Sequence, residues 1–75
     1  MEQYRNIAGN SGVTAYEIGT DYITIEFSDG SIYRYTYASA GIENVERMKG
    51  LAEAGQGLNT FISMTVSKLY ERKEK

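Results

Sequence analysis

Cysteine, histidine, proline and tryptophan are all absent from the 75-residue chain. Without cysteine there is no disulfide and no thiolate metal site. Without cysteine and histidine, the side chains that most often carry nucleophilic and general acid–base chemistry at neutral pH are missing. Long apolar runs are missing too, and no stretch approaches the length of a membrane span. The opening MEQYRNIAGN has no basic flank followed by an apolar run, so no secretory leader is expected and a cytoplasmic location is the default reading.

An excess of one charge is also lacking, since the net charge is −2. Its distribution is uneven. Residues 1–37 sum to −3 and the remainder to +1, with Lys68, Arg72, Lys73 and Lys75 clustered in the last eight residues. The chain as a whole has no basic footprint for a phosphate backbone. The basic tail reads first as a solvated helix end, where cations suit the negative pole of the helix dipole. What the chain does have is tyrosine, seven residues of it, in a composition that is 41% hydrophobic and 12% aromatic. That is enough apolar material for one globular domain near the lower size limit of independent folding.

Residues 22–27, YITIEF, alternate with Ile23, Ile25 and Phe27 on one side, and so read as a half-buried strand. SIYRYTY alternates as well, with Tyr33, Tyr35 and Tyr37 on one side and Ile32, Arg34 and Thr36 on the other. The intervening Ser28-Asp29-Gly30 decides the register. A two-residue Asp29-Gly30 loop would set Ile25 opposite Arg34. A three-residue loop with Gly30 left-handed pairs Ile25 with Tyr33 and Ile23 with Tyr35. Burial of a common face favours the second. It places the tyrosines inward and Glu26 diagonal to Arg34, within reach of an ion pair.

Upstream, GVTAYEI reads as a strand turned back by Gly19-Thr20-Asp21. Either Val13 and Ala15 or Tyr16 and Ile18 face the core, depending on a loop of three or four residues. Beyond Tyr37 the period becomes helical. Ile42, Val45, Met48 and Ala52 form one stripe, with Ser39 as expected N-cap and pairs Glu43–Arg47 and Lys49–Glu53 four residues apart. After a break at Gly55 and Gly57, a second helix is predicted from near Asn59 to near Tyr70 along Leu58, Phe61, Ile62, Thr65, Val66 and Leu69. The expected architecture is α+β, a three-stranded antiparallel meander followed by two helices packed on one sheet face. It spans residues 1–75, with a core of about 7–70.

The order and spacing of GVTAYEI, YITIEFSDGSIYRY and GQGLNTFI resembles the KTSC domain, found at the C-terminus of certain lysyl-tRNA synthetases and as free-standing small bacterial proteins. The matching positions are Tyr16, then Gly30 followed by Tyr33, Arg34 and Tyr35, then Leu58, Asn59 and Ile62. Many members carry an arginine after the late isoleucine and an aromatic residue soon after, where this chain has Ser63 and Val66. Through the synthetase context, the resemblance implies an RNA-binding role.

Asp21 and Asp29 suit turns, where the carboxylate bonds local N–H groups. Glu17 and Glu26 read as exposed strand residues rather than a catalytic pair, and no metal-ligand spacing appears. Gly55-Gln56-Gly57 follows a helix and not a strand, unlike a phosphate-cradling loop. Gly55 reads as a left-handed helix cap, and an anion could be met at the second helix start by Gly57 and Asn59 with Gln56. On the sheet, strand aromatics beside arginine are the residue types that stack on unpaired bases. With the tyrosines inward, the uncovered face shows Thr24, Ile32, Arg34 and Thr36, joined by Tyr16 in the facing that turns Val13 and Ala15 inward. The expectation is therefore a non-catalytic module without cofactor or metal that binds RNA weakly through Tyr16 and Arg34, with Lys68, Arg72 and Lys73 on phosphates. The alternative is a protein-interaction or self-association domain, for instance a homodimer, using the same face around Ile32.

Overall fold

The turn at Ser28–Gly30 sets the register of the hairpin at the centre of the sheet. In the computed structural model, which describes residues 1–75, Phe27 N–H donates to Ser31 C=O at 2.9 Å and Gly30 N–H to Phe27 C=O at 2.9 Å. Gly30 has φ +89, a left-handed conformation that a side chain resists. Asp29 closes the turn by accepting from Ser31 N–H at 2.9 Å and Ser31 Oγ at 2.6 Å. These bonds hold its carboxyl below the usual range. Strands β3 (Tyr22–Phe27) and β4 (Ile32–Thr36) therefore pair Ile23 with Tyr35 and Ile25 with Tyr33. This is the register of the three-residue turn.

Strand β2 (Val13–Ile18) meets β3 through a tighter turn than expected. Gly19 N–H bonds Tyr22 C=O at 3.0 Å, which leaves only Thr20 and Asp21 in the loop. Tyr16 then faces Ile25 and Ile18 faces Ile23, while a bulge between Val13 and Ala15 brings Val13 opposite Phe27. A bulge inserts one residue and flips the facing beyond it. The two facings thus coexist: Val13 and Tyr16 are both in the core.

The sheet has five strands in the order β1-β2-β3-β4-β5, all antiparallel, where three were expected. The two additions are two-residue edges, β1 (Glu2–Gln3) on β2 and β5 (Arg72–Lys73) on β4. Two residues carry no alternation to read. Short charged edges also discourage pairing with another chain. The sheet and core thereby extend beyond residues 7–70, because Tyr4 is only 3% exposed and the tail bonds Ile32 N–H through Lys75 C=O at 3.0 Å.

Helices cover the face bearing Ile23, Ile25 and Tyr35. A short helix α1 (Tyr37–Ala40) is capped by Thr36, not Ser39. Thr36 Oγ1 accepts Ser39 N–H and Ser39 Oγ accepts Thr36 N–H, both at 3.0 Å, a reciprocal capping box. After Gly41, α2 (Ile42–Ala54) buries Val45, Met48 and Ala52 but leaves Ile42 in solvent. The pairs Glu43–Arg47 and Lys49–Glu53 do not form. Lys49 Nζ instead reaches Glu46 at 2.8 Å and Thr20 C=O at 3.1 Å, tying α2 to the β2–β3 turn. Gly55 ends α2 in a left-handed cap, φ 76, donating to Leu51 and Ala52 carbonyls.

The last helical segment is shorter than predicted. α3 (Leu58–Phe61) continues as a π-wound turn (Ile62–Val66) and stops, so Leu69 and Tyr70 lie outside any helix. Leu58, Ile62 and Val66 are all buried at four-residue steps. Such steps drift one way on an α-helix of 3.6 residues per turn and the other way on a wider π turn, so the change of winding keeps the three on one line.

Candidate nucleic-acid interface

On the sheet face without helices, Arg34 lies opposite Thr24 on β3 and Arg72 on β5. Its guanidinium carbon sits 4.1 Å from the centre of the Tyr22 ring. The Tyr22 hydroxyl donates to Glu17 Oε2 at 3.0 Å, and that bond raises the phenol above its ordinary value. Glu74 approaches both arginines, at 3.5 Å from Arg34 Nε and 3.1 Å from Arg72 Nη2. The expected Glu26–Arg34 pair is replaced by this arrangement. Beneath it Thr24 is 2% exposed and its hydroxyl has no partner. The face is therefore closed over at its centre, and its arginines share one carboxylate.

Tyr16, expected on that face, is a correction. The two-residue turn puts it on the helix side, 8% exposed. The tail cations divide as well. Arg72 shares the outer face with Arg34, whereas Lys73 pairs with Tyr33 and shares the helix side. The structure thus separates Lys73 and Lys68 from Arg34 and Arg72, which were expected to act together.

The helix side holds a cleft that sequence reasoning missed. Because the last helical segment stops at Val66, the hairpin end of the sheet is left without a lid. A cleft of about 570 Å³ opens there between β4 and the end of the π turn. Phe27, Tyr33 and Tyr70 line it, with Ser63, Lys68 and Asp29 around them. Tyr33 stands edge-on to Phe27 at 5.7 Å and to Tyr70 at 4.8 Å, favourable geometries for aromatic pairs. Lys73 Nζ is 5.8 Å from the Tyr33 ring centre. Tyr35 forms the floor, and burial, aided by Tyr33 and Tyr70, pushes its phenol up to about 12. Of the two central tyrosines, Tyr35 is scaffold while Tyr33 is half-buried and in contact with the cleft. The signal in the sequence was the pair of serines, Ser63 and Ser67, on a helix expected to pack there: small polar side chains leave the space open.

Gly57 and Asn59, the expected anion contacts, meet in a second cleft of about 280 Å³. Its walls are uncharged: Asn6, Asn10, Gln56, Asn59 and Thr60, with Tyr4 behind them. Leu58 N–H, the first amide of α3, is already taken by the Tyr4 hydroxyl at 3.3 Å. Asn59 lines both clefts and forms the partition between them. No group of three or more His, Cys, Asp or Glu stands where it could hold a metal ion, and no helix is long and apolar enough to cross a membrane. Comparison of the chain with protein-family models, curated proteins and solved structures returned no match.

Proposed function

We propose that this protein is a small non-catalytic binding module that holds an unpaired base of RNA in the Phe27–Tyr33–Tyr70 cleft. The observation that carries this is a group of aromatic side chains bordered by two free cations. Tyr33 is half-buried beneath Lys73, Tyr70 is 38% exposed, and Lys68 stands on the wall. A base presents a π-face to such rings whatever its identity, and stacking is worth about 1–3 kcal/mol per base. Lys68 and Lys73 are the expected phosphate contacts. The likeness to KTSC domains supports RNA as the partner through its synthetase context. Tyr16, Arg34 and Arg72 drop out of the earlier set, the first by burial and the others by their shared carboxylate.

One stacked base and two phosphates make a weak site, with a Kd of roughly 0.1–1 mM. The test is a backbone and aromatic NMR titration with single-stranded octauridylate at low salt, repeated at higher salt. Shifts should centre on Phe27, Tyr33, Lys68 and Tyr70. Two phosphate contacts predict a slope of log K against log salt of about −1.4. Flat spectra at these residues, or salt-independent binding, refute the reading. Self-association is the second reading and rests on Met64, which is 81% exposed beside Phe61. A mass by light scattering that rises with concentration, and falls back in Met64→Ser, would favour it.

A further inference from the structure

We infer that the amide-lined cleft is a base-reading subsite, in which a second unpaired base of the same strand, preferentially adenine, is held by the side chains of Asn10, Gln56 and Asn59. This rests on the stacking reading of the neighbouring aromatic cleft and adds sequence preference to it.

The cleft is built before any ligand arrives. Asn6 turns the chain with φ 52, and its Oδ1 accepts Ser11 N–H at 3.0 Å. Ser11 Oγ in turn accepts Val13 N–H at 3.0 Å. Ile7 N–H donates to Gly55 C=O at 2.8 Å, and Arg5 donates to Glu53 C=O, so the loop of residues 6–11 is fastened to the end of α2. The Tyr4–Leu58 bond fixes the opposite wall. Walls held from both sides lower the ordering cost of capturing a ligand.

The chemistry of the walls selects the ligand class. No lysine, arginine, aspartate or glutamate lines the cleft, so a charged group gains nothing there that water does not offer. Asn6 spends its carbonyl oxygen on the loop. The amides of Asn10, Gln56 and Asn59 have no partner within the chain, and each offers a donor and an acceptor side by side. That pairing matches a neutral heterocycle with an acceptor next to a donor. Every base presents one such pair on its Watson–Crick edge, but adenine also presents it on its Hoogsteen edge, in N7 and N6, where asparagine or glutamine is its usual bidentate partner. In single strands the edges of splayed-out bases are open to such reading. At about 280 Å³ the cleft lies at the small end of small-molecule sites, a size suited to one base.

Position supplies the link to the first site. Asn59 faces both clefts, and its side chain lies against Gly12, where a Cβ would stand 3.3 Å from Oδ1. A strand whose one base stacks on Tyr33 and Tyr70 passes its neighbour over Asn59 into the amide walls.

The test uses the intact protein, with uridine 5′-monophosphate as the one-base probe and the dinucleotides UpA, ApU, UpC, UpG and UpU. Affinities and side-chain NH₂ resonances are followed by NMR. The mononucleotide should shift Phe27, Tyr33, Lys68 and Tyr70 but leave the side-chain amides of Asn10 and Gln56 silent. UpA or ApU should also shift the amides of Asn10, Gln56 and Asn59, and bind about 5-fold or more tighter than UpU. Gln56→Ala, at an exposed position, should reduce that preference below about twofold while leaving the mononucleotide affinity unchanged. Asn59→Ala should also lower that preference; because Asn59 lines both clefts, only its UpA-to-UpU ratio is read, with circular dichroism reporting its fold. Mononucleotide binding with equal affinity for all dinucleotides and silent amides overturns the subsite and leaves the stacking reading standing. No shift in either cleft overturns both.

Discussion

Replacing Tyr4 by phenylalanine removes one oxygen from a ring that is 3% exposed. That oxygen accepts Leu58 N–H at 3.3 Å across 54 positions of sequence. The ring can stay where it is, so the change isolates the hydrogen bond. A buried N–H left without a partner costs about 1–3 kcal/mol. Because this bond is long, the lower part of that range, about 1–1.5 kcal/mol, is expected. Tyr4→Ala also removes the ring, and aromatic truncation in a core costs about 3–5 kcal/mol. A domain of this length has a total stability of about 4–11 kcal/mol, so the alanine variant should lose from about a quarter to all of it while the phenylalanine variant remains folded. Urea unfolding followed by circular dichroism measures both. Tyr4→Phe should lower the midpoint with an unchanged slope and lower Tm by about 4–8 °C per kcal/mol. A Tyr4→Ala protein as stable as the parent would refute the claim that the N-terminal segment belongs to the core.

Two glycine substitutions should act in opposite directions in the same assay. Gly55→Ala places a Cβ in a left-handed residue, 2.8 Å from Arg5 Cβ, and should cost about 1–2 kcal/mol. Gly50→Ala meets nothing within 4 Å on the open side of α2 and should stabilise by about 0.5–1 kcal/mol. Alkaline pH should destabilise the protein through Tyr35. The folded state keeps that proton to about 12, whereas the unfolded chain releases it near 10.0. Between these values the folded state binds more protons, so stability is intact below pH 10 and falls as pH rises. The slope from this residue is at most about 1.4 kcal/mol per pH unit. Phenolate absorbance and circular dichroism recorded together should show one phenol keeping its proton to about 12 while the fold persists; its ionisation near 10.0 in a still-folded protein would contradict this.

The β3–β4 hairpin is legible in the sequence because its turn chemistry and both alternating patterns agree on one register, and the paired Ile23–Tyr35 and Ile25–Tyr33 follow. The facing of β2 is not legible, because a bulge breaks the period on which such readings rest and lets Val13 and Tyr16 share a side. The edge strands are too short to leave a pattern. Their positions come from tertiary bonds such as Glu71 N–H to Arg34 C=O at 2.6 Å. The candidate site depends on where the last helix stops. Leu69 continues the apolar stripe and argues for a longer helix, but it is exposed and the chain leaves the helix at Val66. From that stop follow the open hairpin end, the half-buried Tyr33 and the return of Lys73 above it. Of the expected contacts, Lys68 and Lys73 lie at the aromatic cleft and Asn59 lies between the two clefts. Arg34 is instead packed on Tyr22.

The most direct measurement compares octauridylate affinities of Tyr70→Ala and Arg34→Ala with the parent at low salt. Tyr70 is exposed on the cleft and lies outside every helix and strand, so its ring can be removed with little damage to the fold. Loss of one stacked base predicts a drop of about 5-fold or more for Tyr70→Ala and less than about twofold for Arg34→Ala. The reverse order would place the contact on the outer sheet face and contradict the account.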